Sequence, residues 1–79
     1  MDIEGERVHI PHCLLYSDSF GKDPGSDIPA GTYICTRYIP GRTAPIHIEH
    51  LGWVKCKPNG MLLLSNPPVY CCVSSEIYV

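Results

Sequence analysis

Apolar and polar positions alternate most regularly over Thr32–Ile39, where β-branched and aromatic residues follow the turn Pro29-Ala30-Gly31. A strand there sends Tyr33, Cys35 and Arg37 to one side and Ile34, Thr36 and Tyr38 to the other. Val8–Tyr16 also has an apolar pattern of strand length, which Pro11 restricts to an edge or divides into two short pieces. Gly21, Asp23, Pro24 and Gly25 mark 17–31 as a loop. After Pro40-Gly41 the period changes. Ile46, His50, Trp53 and Val54 fall at i, i+4, i+7 and i+8 with Leu51 at the margin, which predicts an amphipathic helix over 44–57. Thr43 suits its N-cap, Pro45 its first turn, Lys55 and Lys57 its last turn, and Pro58-Asn59-Gly60 its stop. Two further strands are expected at 60–65 and 69–79, separated by Asn66-Pro67-Pro68.

These elements predict an α+β fold, one helix packed on an antiparallel sheet, as a single domain over 8–79 after a disordered lead at 1–7. The last strand is expected to leave a sheet edge uncovered, and a bare edge invites pairing with another chain. A homodimer through that edge follows as an expectation.

Composition narrows the setting. A chain of 79 residues holds one domain and buries only about 60% of its unfolded surface. Hydrophobic residues make up 44% and charged residues 18%, a globular balance. The net charge is -2 and the six basic residues are spread from Arg7 to Lys57, so no direct nucleic-acid contact is expected. The acidic opening Met1–Arg7 does not read as a secretory leader, and the apolar runs are too short to span a membrane. Five cysteines, an odd number, read as free thiols in a reducing, cytoplasmic setting.

The ordered set Ile28-Pro-Ala-Gly-Thr-Tyr33, the Trp53 segment, Asn59-Gly60-Met61, Pro67-Pro68-Val69-Tyr70 and Glu76-Ile77-Tyr78 resembles the second half of a gyrase-inhibitor-like (GyrI-like) effector-binding domain. Such domains lie C-terminal in MerR-type multidrug-sensing transcription regulators, and Tyr33, Cys35 and Tyr38 match a Tyr-x-Cys-x-x-Tyr strand of that subgroup. The resemblance covers roughly 28–79 and implies a strand-helix-strand-strand unit, half of a tandem fold that binds ligands between its halves. It departs from the family in lacking a first repeat, a helix-turn-helix and a final strand after Tyr78. Where the multidrug sensors carry a buried acid the chain has Cys71, and Glu76 is the substitute if the strand aligns with a shift.

The resemblance implies a small-molecule effector-binding module for an amphipathic aromatic compound, with Tyr33, Tyr38, Trp53, Tyr70, Glu76 and Tyr78 as ligand-binding residues. Without a buried acid at Cys71, the pocket favours neutral ligands over cations. The bland reading is that tyrosines favour strands and that Trp53 is core. A half-domain that homodimerises without a ligand is the alternative, and a hydrolase of reactive genotoxins, as some relatives resemble, ranks behind both. His47-x-x-His50 and His9-x-x-His12-Cys13 contain metal-ligating residue types. No Cys-x-x-Cys pair accompanies them, so neither metal nor cofactor is expected.

Overall fold

The computed structural model describes residues 3–62 and 66–74. These residues form eight strands and no helix, which corrects the predicted α+β architecture. The strands are β1 (Arg7–Ile10), β2 (Cys13–Tyr16), β3 (Pro24–Ile28), β4 (Gly31–Tyr38), β5 (Ile46–Ile48), β6 (Gly52–Val54), β7 (Cys56–Leu62) and β8 (Val69–Ser74). They make one mixed sheet in the order β3-β2-β6-β5-β4-β1-β8-β7. All the neighbours pair antiparallel except β1 and β8, which run parallel.

The expected helix is replaced by the β5–β6 hairpin and the start of β7. Ile46 and Ile48 are fully buried on either side of the half-buried His47, a period of two too short to outweigh the longer helical stripe in sequence. The stripe would have buried His50, yet His50 is exposed with φ 54°. It sits in a turn that the Leu51 N–H closes on the Ile48 carbonyl at 3.2 Å. Sheet burial also removes Ile48 from water, worth about 1.5–3 kcal/mol, which a helix with Ile48 off its stripe forgoes. Gly52 disfavours a helix by about 1 kcal/mol more.

Elsewhere Pro11 separates β1 from β2, and the segment expected as a loop at 17–31 contains β3. Of the lead expected to be disordered, residues 3–7 are described and packed: Ile3 is fully buried and the Gly5 N–H donates to the Cys35 carbonyl at 2.7 Å. The final strand does not form an edge, because β8 lies between β1 and β7. Among the described residues the edges belong to β3 and β7, which carry Pro24 and Pro58, residues that discourage pairing with another chain. The stretch expected as strand at 75–79 lies outside the described residues.

Thr36 is an extra residue between the pairs Cys35–Ile48 and Arg37–His47, a bulge that shifts the register of β4. Beyond it the alternation is inverted. Tyr38 now pairs with the buried Ile46 on the core side, and Arg37 pairs with His47 on the outer side, the reverse of the sequence expectation. The sheet curls around a core of Ile3, Val8, Ile10, Ile28, Ile46, Ile48 and Val54 together with Cys13, Cys35, Cys56 and Cys72. Tyr33, Tyr38 and Tyr70 pack against this core as partly buried residues.

Candidate functional site

The tyrosines expected to line one pocket are distributed by the sheet between two uses. Tyr33 and Tyr70 flank Val8 in register across β4, β1 and β8, so all three share the core side. The Tyr33 hydroxyl donates to the Pro29 carbonyl at 2.8 Å, which ties the ring to the turn entering β4. Both rings therefore close the core. Tyr38, moved to this side by the bulge, lines a cleft of about 320 Å³ with Pro40, Gly41, Arg42, Pro45, Lys57 and Pro58.

The cleft is built by a turn that the sequence specifies. Pro40 and Gly41 occupy the second and third positions of the turn Ile39–Arg42, Gly41 has φ 91°, and the Arg42 N–H donates to the Ile39 carbonyl at 3.3 Å. Proline then glycine with this positive φ is the pattern of a type II turn. The turn brings Arg42 back toward Tyr38, while Lys57 and Pro58 arrive from β7. Arg42 is held from two sides: its guanidinium lies 4.3 Å from the Phe20 ring centre and Nη1 donates to Ser19 Oγ at 3.2 Å. The Ala44 N–H donates to the Ser19 carbonyl at 2.8 Å, which fixes the supporting loop. The Tyr38 N–H donates to Glu4 Oε2 at 3.0 Å.

Trp53 belongs to a different surface. It pairs with His47 on β5 and with Tyr16 on β2, on the outer side of the sheet. The His47 and Trp53 rings meet edge to face with centres 5.0 Å apart, and the Arg37 guanidinium lies 6.0 Å from the Trp53 ring. Lys55 lies 4.7 Å over Tyr16. Desolvation, then the Arg37 charge, then His50 hold the His47 imidazole below its usual range. Thr36 Oγ1 also lies within hydrogen-bond distance of His47 Nδ1 and donates to its carbonyl at 3.1 Å. This row stacks cations on rings, and Trp53 is not among the residues that line the cleft beside Tyr38.

Glu76 and Tyr78 lie outside the described residues. Cys71 is half-buried beside His9, whose Nδ1 is 3.4 Å from Thr32 Oγ1. Cys72 faces the core, and burial, with smaller contributions from Cys35 and Cys71, pushes its thiol up to about 12. His12 Nε2 lies 2.6 Å from Asp27 Oδ2 at the surface, and that contact chiefly holds the Asp27 carboxyl below its usual range. Among the described residues no three His, Cys, Asp or Glu side chains are grouped to hold a metal ion. No helix among them is long and apolar enough to cross a membrane. A second depression, about 250 Å³ near Tyr16 and Leu51, includes Asp23, whose carboxylate accepts from the Ser17 hydroxyl.

Sequence reasoning named Tyr38 but missed Arg42 and Lys57. The Pro40-Gly41 pair beside Tyr38 was the available signal for Arg42, because a type II turn reverses the chain within four residues. Lys57 had none, since its place depends on β7 being a strand. Comparison with protein-family models, curated proteins and solved structures found no match.

Proposed function

We propose that the chain is a small-molecule-binding module whose ligand is an aromatic anion of one or two rings, held beside Tyr38. The observation that carries this reading is the convergence of Tyr38, Arg42, Lys57 and three prolines on one cleft of about 320 Å³. That volume lies at the lower end of the range typical of ligand pockets. The Tyr38 ring and the prolines offer an apolar bed for a flat ring. Arg42 offers a planar fork to a carboxylate or phosphate, and Lys57 a point charge. Because Phe20 and Ser19 already hold Arg42, less side-chain freedom is lost on binding. The two cations change the expected ligand from neutral to anionic.

The reading rests on the cleft and not on the gyrase-inhibitor-like scaffold, whose helix is replaced here by strands. Any regulatory effect on transcription passes through an associated DNA-binding partner in this proposal. Calorimetric titration with a naphthoate and the matching naphthamide tests it. The carboxylate should bind saturably at one site and the amide roughly tenfold or more weakly, the worth of a charge-assisted hydrogen bond. Equal affinities, or no saturable heat from either compound, would count against the proposal.

A further inference from the structure

The core holds a pair of thiols that the ligand reading does not use. Cys13, the first residue of β2, and Cys56, the first residue of β7, are both fully buried. Their sulfurs lie 4.0 Å apart, 43 positions apart in sequence, with the Cys56 thiol directed at the Cys13 sulfur. In the sheet order β2 is second from one edge and β7 forms the other edge, so this contact bridges the curled sheet. Cys35 turns instead toward the Arg37 carbonyl at 3.3 Å, and Cys71 and Cys72 are neighbours on β8 whose side chains leave opposite faces.

We propose that Cys13 and Cys56 form a site of reversible oxidation that takes a low-molecular-weight disulfide such as glutathione disulfide and becomes an intramolecular disulfide. Cys56 reacts first, because among the described residues β7 is an edge strand paired with β8, and an edge strand opens more readily than an internal one. On opening, the Cys56 thiol gives its proton to water and its thiolate attacks one sulfur of glutathione disulfide, expelling a glutathione thiolate. Before β7 has closed, with the glutathionyl group still outside the core, the Cys13 thiol gives its proton to water and its thiolate attacks the Cys56 sulfur, forming the Cys13–Cys56 bond and expelling the second glutathione thiolate. Two protein thiols are oxidised, one glutathione disulfide is reduced, and the two protons end on the two glutathione thiols. The bond fastens β2 to β7 and supplies the staple that so small a core otherwise lacks. It also anchors the residue immediately before Lys57 and Pro58, the β7 wall of the cleft. The proposal itself stands apart from the ligand reading.

Reduced wild-type protein is incubated without denaturant in glutathione disulfide, alkylated, digested and mapped by mass spectrometry. Alkylatable thiols should fall from five to three, with one linked peptide joining Cys13 to Cys56 and no glutathione retained. The oxidised protein should unfold at higher urea concentration than the reduced protein, and dithiothreitol should restore the lower midpoint. Five unmodified thiols, a bond involving Cys71 or Cys72, intermolecular dimers, or a mixture of linkages would each overturn the proposal. So would a Cys13–Cys56 bond that lowers the urea midpoint, since the native sheet would then be distorted by it.

Discussion

Replacing Gly52 by alanine distinguishes the hairpin from the helix that the same residues suggest in sequence, because the two predict opposite signs. Gly52 opens β6 with φ 155°, and a methyl group built on it would lie 2.8 Å from the Tyr16 carbonyl oxygen. That oxygen belongs to backbone and cannot swing away as a side chain would. β2 and β6 are joined through the single pair Tyr16–Trp53, so moving β2 loosens the seam that holds β2 and β3 to the sheet. Overpacking of this kind costs about 1–3 kcal/mol, and the backbone conformation adds on the order of 1 kcal/mol. We expect Gly52→Ala to destabilise the fold by about 2–4 kcal/mol. For a domain of this size that is a fall in Tm of roughly 8–32 °C. In a helix the same change would stabilise by up to about 1 kcal/mol. Urea unfolding followed by Trp53 fluorescence measures the sign directly. A variant as stable as the wild type, or more stable, would refute the hairpin.

Three other outcomes follow from the same geometry. Ile48→Ala should cost about 2–5 kcal/mol, whereas Leu51→Ala, at an exposed position, should change urea stability by less than about 0.5 kcal/mol; equal effects would contradict the sheet assignment. His47 is held below its ordinary value of 6.5, so the folded chain binds its proton less readily than the unfolded chain. Its contribution is therefore fully present above 6.5 and is lost as pH falls through that value toward the lowered one. His47→Gln should flatten this part of the stability–pH profile, and an unchanged slope would contradict the assignment. Arg42→Ala and Lys57→Ala should each weaken naphthoate binding about tenfold while leaving the naphthamide unaffected, as read by calorimetry; equal losses for both compounds would point to collapse of the cleft.

The parts of the fold legible in sequence were those set by local chemistry. Thr32–Tyr38 is rich in β-branched and aromatic residues and lies within β4, and Pro40-Gly41 forms the turn its residue types suit. The helix misread arose where local chemistry is ambiguous. Ile46, His50, Trp53 and Val54 satisfy a helical period while Ile46 and Ile48 satisfy a period of two, and the burial of Ile48 across from Cys35 decides between them. That contact joins residues far apart in sequence. The Thr36 bulge has no residue signature of its own, yet it moves Tyr38 into the core-side row and creates its access to the cleft. The site was legible to the same extent. Tyr38 could be named from its strand, but Arg42 and Lys57 become its neighbours only through a turn and an edge strand.

The cleft is tested most directly by recording backbone amide shifts of the reduced protein during titration with naphthoate. Saturable changes should centre on Tyr38, Gly41, Arg42 and Lys57, with His47 and Trp53 on the outer face little affected. Saturable changes centred on Trp53, or on Tyr33 and Tyr70, with Gly41 and Arg42 unmoved would contradict it, as would a titration with no saturable change.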